Sequence, residues 1–281
     1  MGCLVPGVQV STLKLVTEAF NELINRDSKK LFSELFLLFF EEVLMTEKHN
    51  IGYNERLFKK GLRGFLHNGR FEWIKKKFEL LGLTEIRVVE LGCFDGRLLK
   101  FLPNTLVSYN GYDADWEGGL STAKSLESDS VKFSKCTNTS QFLLPDQFNV
   151  FISLETLEHI NDENLLRAYL QKAADELADN GIALITVPNE IGPLFALKHL
   201  YKRFIHGEKS NYSTKEFFHQ VLGQTSKVQR NEHKGFSYIN FNEILKDYFE
   251  VCRVEGANTK FLPAFLNMSI GFSCKKLRQL G

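Results

Sequence analysis

The chain has 281 residues, 43% hydrophobic and 25% charged with only 6 proline, a globular composition sufficient for one large domain or two small ones; disorder, collagen and coiled coil are excluded. Thirty-five Lys plus Arg against 34 Asp plus Glu leave a net charge of +1, without the basic excess of a phosphate-tracking protein, so nucleic acid is not expected as a main partner. Five widely spaced cysteines without a C-x-x-C pair fit neither a disulfide framework nor a zinc site and point to a reducing cytoplasm.

The opening Met1-Gly2-Cys3 lacks the Ser or Thr that myristoylation needs at the sixth position, where Pro6 stands. Residues 12–48 read as helical. Their apolar run from Leu31 to Leu44 is broken by Glu34, Glu41 and Glu42, which makes it too short and too charged to span a bilayer. It reads instead as an amphipathic helix packed on the domain or on a partner. Residues 1–50 are accordingly taken as a helical extension and 51–281 as the main domain; a chain starting at Met45 is expected to fold. A second helical stretch, Glu55 to Leu81, carries Leu62, Phe65, Leu66, Trp73, Ile74 and Phe78 at mostly helical spacing, with Gly82 placed as a C-cap.

From Ile86 the pattern changes to short apolar runs alternating with helical ones: Arg87 to Leu91, Val107 to Tyr112, Val131 to Ser134, Phe148 to Ser153 and Ile182 to Val187. That alternation predicts a parallel sheet with crossover helices. Between the fourth and fifth strands a helix is marked by Asn161 or Asp162 as N-cap, by Leu165, Leu166, Tyr169, Leu170, Ala173 and Leu177 on one face, and by Gly181 beyond its end. After Pro188 the strand pattern lapses. Ile191 to Phe204 and Ser213 to Leu222 read as helices, and the segment up to His233 as a polar loop. An insertion at the carboxyl end of a parallel strand sits where open α/β sheets bind ligands, so residues 190–235 predict a helical cap over a substrate. A short helix, Phe241 to Lys246, precedes two strands, Phe249 to Val254 and Met268 to Cys274, with an antiparallel finish.

Val88-Val89-Glu90-Leu91-Gly92-Cys93-Phe94-Asp95-Gly96 is an apolar strand running into a glycine-bearing turn, with a helix expected from about Arg97. Such a turn lets backbone amides approach an anionic ligand closely. The next strand ends in Tyr112-Asp113, where a carboxylate can accept both hydroxyls of a ribose. After the fourth strand comes Glu155-Thr156-Leu157-Glu158-His159; helical spacing would put Glu155, Glu158 and His159 on one face.

The order Glu90-Leu91-Gly92-Cys93-Phe94-Asp95-Gly96, Gly111-Tyr112-Asp113, Phe148-Asn149-Val150-Phe151-Ile152-Ser153, Leu157-Glu158-His159, Asn180-Gly181-Ile182 and Val187-Pro188-Asn189 resembles the class I S-adenosylmethionine-dependent methyltransferases. The resemblance implies a doubly wound Rossmann-like α/β fold with a seven-stranded, mostly parallel sheet in the order 3-2-1-4-5-7-6. It implies that Glu90, Gly92, Cys93 and Gly96 line the methionine and ribose part of the cofactor, with Leu154 beside it, and that Asp113 binds the ribose hydroxyls. Three positions depart from the family pattern. Phe94 replaces a glycine and is expected to keep ordinary backbone angles with its ring turned away. Thr137 stands roughly where many members place an Asp against the adenine, and Asn149 replaces an Asp in the fourth strand.

The E-x-x-E-H run also resembles the magnesium-binding run of ubiquinone-pathway O-methyltransferases and of the 2′-O-methyltransferases of small RNA ends, in which a further His follows the fifth strand. His233 is the candidate here, so the resemblance implies a possible Mg²⁺ set of Glu155, Glu158, His159 and His233. Imidazole ligands would equally accept Mn²⁺ or Zn²⁺. Without a metal, His159 is the best-placed general base, and His233 the reserve. The expected activity is O-methylation of a small-molecule, lipid or glycan-precursor acceptor in the cytoplasm. The alternatives are RNA-end methylation, which Lys198, Lys202, Arg203 and Lys209 would serve as a local patch, and a non-catalytic member that keeps the fold.

Overall fold

The computed structural model describes residues 62–145, 147–205, 207, 209–259 and 262–277. The N-terminal extension, the start of the second helical stretch and the side chains of Leu62, Phe65 and Leu66 lie outside the described residues, as does the proposed boundary at residue 50. The description concerns the compact unit that begins at Leu66.

Seven strands form one sheet: β1 (Ile86–Leu91), β2 (Leu106–Asp113), β3 (Val131–Lys135), β4 (Phe148–Leu154), β5 (Leu177–Pro188), β6 (Phe249–Gly256) and β7 (Ser269–Lys276). Their order is β3-β2-β1-β4-β5-β7-β6, with the first five parallel and β7 antiparallel to both neighbours. This is the expected doubly wound α/β order. The reversal of winding between β1 and β4 leaves a crevice at their carboxyl ends, the place where open α/β sheets bind ligands. Both faces of the central strands are covered, hence their near-continuous apolar runs.

On one face Val89, Leu91, Phe151, Ala183, Ile185, Val187 and Phe272 form a common core with α3 (Glu163–Glu176) and α6 (Tyr238–Lys246). On the other lies α1 (Leu62–Leu81), with Phe71, Trp73, Ile74 and Phe78 buried. Trp73 sits where Gly271 of β7 has no side chain: a Cβ there would come within 2.6 Å of the indole. Its Nε1 donates to Glu255 at 2.8 Å, and Lys77 pairs with the same carboxylate. A short helix α2 (Leu120–Lys124) lies before β3.

Several boundaries differ from the sequence expectation for visible reasons. The helix expected from Arg97 is a five-residue 3-10 turn, Arg97–Phe101. The fifth strand starts at Leu177, immediately after α3, and takes in Gly181, which the sequence presents as a helix stop. Asp162 is the N-cap of α3, accepting from the amides of Asn164 and Leu165 at 2.9 and 3.4 Å. Asn161 is committed elsewhere, to the amide of Glu232 at 2.8 Å. The sixth helix begins three residues early, at Tyr238, because Ser237 caps it. Between β5 and α6 lie the expected helices, α4 (Gly192–Ile205) and α5 (Thr214–Val221), the latter closed by a Ser213/Glu216 capping box.

Candidate active site

Three loops meet at the carboxyl ends of β1, β4 and β5. The first carries the glycine turn. Gly92 adopts φ +89°, and a Cβ on it would fall 1.9 Å from Oγ1 of Thr156, so only glycine allows the turn to lie against the loop after β4. Its amide and that of Cys93 donate to the Tyr112 carbonyl at 2.7 and 3.2 Å. Gly96 caps the 3-10 turn.

The expectation for Phe94 is corrected here: it takes φ +46°, the left-handed conformation that the family's glycine would supply. The turn requires that conformation, and two contacts hold the residue there. Its amide donates to Asp113 at 2.8 Å, and its ring fills the space beside Gly119 with the Arg97 guanidinium 5.4 Å from the ring centre. Asp113, at the end of β2, is half-buried and accepts a second bond from the amide of Asp115 at 2.6 Å. It therefore pins the turn as well as standing where the ribose is expected.

Glu90 is buried and takes a hydrogen bond from the Tyr109 hydroxyl. Burial pushes its carboxyl up to about 8, so it carries a proton through the neutral range unless a positive group arrives beside it. The thiol of Cys93 is raised by burial and is inert packing against the turn. Leu154 closes β4 with its side chain buried. Thr137 is exposed, and its amide and hydroxyl are both bound to Gln141 Oε1, at 2.8 and 2.9 Å.

The second and third loops bring distant residues together. Leu157–His159 is a single 3-10 turn, and Glu155 precedes it with φ +54°. The helical face expected for Glu155, Glu158 and His159 therefore does not form. Glu158, His159 and His233 instead make one group, each offering a ligand atom within 4.8 Å of the others, and Glu155 lies outside it. Glu155 is turned toward Ser269, and Arg70 of α1 supplies positive charge to both Glu155 and Glu158.

Glu158 is fully buried, and neither carboxylate oxygen has a hydrogen-bond partner among the described residues. Burial and the charge of Glu155 drive its carboxyl far above the usual range. Its Oε1 lies 3.7 Å from Nε2 of His159, whose ring meets that of His233 edge-on at 4.7 Å. Burial lowers both imidazoles, His233 to about 4, so both are neutral near pH 7 and hold a lone pair ready for a proton or a cation.

His233 reaches this place because its loop is fastened at several points. Arg230 donates to the carbonyls of Glu158 and Glu232, Glu232 takes φ +51°, and Asn231 and Lys234 form a bridge. Behind it Glu190, the second residue after β5, binds Lys198 of α4 at 2.6 Å and faces Nδ1 of His233 at 3.9 Å. Gln220 of α5 is fully buried: its amide donates to the carbonyls of Glu190 and Phe236 at 2.6 and 2.9 Å and accepts from the amide of Gly235 at 3.1 Å. Sequence reasoning missed Arg70, Glu190, Gln220 and Arg230. Glu190 directly follows the Val187-Pro188-Asn189 run and Arg230 lies in the polar loop before His233, but nothing local ties either to the site.

Residues 65–242 match the family described as Methyltransferase domain, Methyltransf_23. A solved S-adenosylmethionine-dependent methyltransferase from Clostridium acetobutylicum is similar at 15% identity and TM-score 0.55, over 79% of this chain and 98% of that one. The N-methyltransferase NodS from Bradyrhizobium japonicum, in complex with S-adenosyl-L-homocysteine, is similar at 11% identity and TM-score 0.51, over 80% and 96%. No curated protein matches the sequence. The chain belongs to the methyltransferase-domain family and is an S-adenosylmethionine-dependent methyltransferase with the class I fold. Among the described residues no helix is long and apolar enough to cross a membrane.

Proposed function

We propose that the enzyme methylates a hydroxyl oxygen of a small-molecule, lipid or glycan-precursor acceptor, and that the acceptor lies over the Glu158, His159 and His233 group with a divalent cation held there. The cofactor's end of the crevice is formed by Glu90, Gly92, Cys93, Gly96, Asp113 and Leu154, with Thr137 at the margin. One observation carries the reading: a fully buried Glu158 with both oxygens unpartnered among the described residues, beside two neutral imidazoles. A buried carboxylate without partners is costly, and a cation is the partner that would satisfy both oxygens and the imidazole lone pairs.

The donor set changes the choice of metal. The resemblance implies Mg²⁺ on a set that includes two carboxylates, but among the described residues one carboxylate and two imidazoles come together, which suits Mn²⁺ or Zn²⁺ better. A bound cation would supply Lewis acidity that makes an acceptor hydroxyl easier to ionise. The protein's own part is positioning: the sulfonium methyl is already electrophilic, and holding oxygen, methyl carbon and sulfur in line supplies several kcal/mol, of the order of the 7 to 11 reached by well-oriented intramolecular reactions.

In a second reading His159 takes the hydroxyl proton itself, with no cation. It is favoured by the neutral imidazole of His159, which is 31% exposed where Glu158 is closed off. An RNA end as acceptor is supported less. Lys198 is spent on Glu190, which leaves the exposed Arg203 and Lys209 as the described remainder of the basic patch.

The test is transfer of labelled methyl groups from S-adenosylmethionine into cell extract, with and without chelator and with and without RNase. Loss of transfer in chelator and its return with Mn²⁺ is expected. Full transfer in chelator would remove the cation and leave His159 as the base. Loss on RNase treatment alone would move the acceptor to RNA.

A further inference from the structure

We infer that Glu190 is a positioning residue for His233: it accepts the Nδ1 proton of the imidazole and so leaves Nε2 as the lone-pair atom offered to the site. The inference rests on the reading of His233 just given, and extends it to a residue outside the cluster.

The geometry is built from both sides. Glu190 cannot drift, because the residue before it and its own carbonyl are both anchored. Nδ2 of Asn189 donates to the carbonyls of Phe265 and Asn267 at 2.9 and 3.1 Å, and Gln220 holds the Glu190 carbonyl. The carboxylate is only 8% exposed and is oriented by Lys198, whose ammonium bonds the same oxygen, Oε1, that faces His233. On the other side Arg230 and Asn161 fasten the turn that carries His233.

Between these two anchored groups stands one unpaired atom. Nδ1 of His233 is buried and has no hydrogen-bond partner among the described residues, and Oε1 of Glu190 is 3.9 Å away. A shift of under an ångström of either group toward the other closes that gap to a hydrogen bond. An ion-paired carboxylate can only accept, so the imidazole atom that meets it must carry hydrogen. In neutral imidazole that leaves Nε2 unprotonated. A carboxylate behind a ligating or proton-accepting histidine fixes the tautomer and raises the basicity of the free nitrogen. Lys198 in turn keeps Glu190 from competing for the cation itself.

A purely structural role for Glu190 would end at Lys198 and Gln220 and would leave the tautomer of His233 undetermined. The experiment is therefore ¹⁵N NMR of the histidine rings in the full chain at pH 8, where the imidazoles are neutral, with His233 assigned by its absence in His233→Gln. The expected wild-type state has hydrogen on Nδ1 and a bare Nε2. Glu190→Gln keeps the shape but lets an amide donate to Nδ1, so the opposite tautomer should rise. Mn²⁺ affinity, read by electron paramagnetic resonance, should fall about 10- to 100-fold, the usual cost of losing such a partner. The Kd for S-adenosyl-L-homocysteine should stay within about twofold of wild type, because Glu190 does not touch the glycine turn. Lys198→Met removes the ion pair but not the carboxylate and should leave the tautomer as in wild type.

Hydrogen on Nε2 in the wild type overturns the inference even if every variant fails to fold. So does an unchanged tautomer in Glu190→Gln, or an equal change in Lys198→Met. If the wild type binds no Mn²⁺ at all, the cation reading fails, and the tautomer alone decides the role of Glu190.

Discussion

The turn after β1 and the loops after β4 and β5 share one edge of the sheet, yet they treat their polar groups in opposite ways. In the turn, Asp113 accepts from two backbone amides and Asp95 holds Arg97 through two nitrogens, at 2.8 and 2.6 Å. In the other loops, the Glu158 oxygens, Oε1 of Glu155 and Nδ1 of His233 are buried without hydrogen-bond partners among the described residues. Each such atom costs about 1 to 3 kcal/mol, and more when charged, so they are tolerated only where the fold is fixed by stronger terms. On the proposed reading the cofactor's side is complete as folded, whereas the acceptor's side holds binding capacity that the described residues do not use.

The strongest way to break this contrast is to remove the open groups. His159→Ala should lower methyl transfer by about 10² to 10⁴, the range for losing a group that acts on the reacting proton, and Glu158→Gln should lower it through loss of the cation; both should leave the cofactor Kd nearly unchanged. Full turnover by both variants would mean that the unpartnered atoms are idle. On the other side, Asp113→Ala should weaken S-adenosylmethionine binding by about 10² to 10⁴, since two charge-assisted bonds of about 1.5 to 3 kcal/mol each are lost. Calorimetry reads this directly; unchanged affinity would place the ribose elsewhere.

A smaller effect is on stability against pH. The Glu90 carboxyl is raised from 4.5 to about 8 in the folded protein, so the native state binds the extra proton between those values. Its contribution is present below pH 4.5 and is lost as pH rises through about 8. Urea midpoints of the cofactor-free protein should fall over this window, and Glu90→Gln should flatten the fall. The smallest effect concerns Phe94. Phe94→Gly loses ring packing but relieves left-handed strain of about 1 to 2 kcal/mol, so its net change should be under about 1 kcal/mol. Phe94→Ala keeps the strain and loses the ring, and should unfold about 1 kcal/mol more easily than the glycine variant.

The same contrast explains what was legible in the sequence. The glycine-turn side is written in contiguous residues: a strand, a turn and the acid that ends the next strand lie close along the chain, and the sheet follows from their apolar runs. The side that carries Glu158 and His233 is assembled over long range. Glu155 was grouped with Glu158 and His159 by a spacing rule that presumes a helix, whereas the 3-10 turn begins only at Leu157. Glu190 and Arg230 join the site through loop anchors that no local pattern announces. Phe94 was misjudged for a different reason: the turn's backbone demand outweighs the preference of the residue placed in it.

Gln220 sets a limit on how the cap can change. Its one amide carries three bonds from α5 to the two loops that bear Glu190 and His233, and nothing in that arrangement survives a shift of register. A residue inserted or deleted within α5 would strand three backbone groups in the interior at once. Additions between α4 and α5, or after Gly223, leave the rivet in place. Variation in this lineage should therefore accumulate on either side of one short helix, with new acceptors explored by loops that grow outward from a fixed fastening.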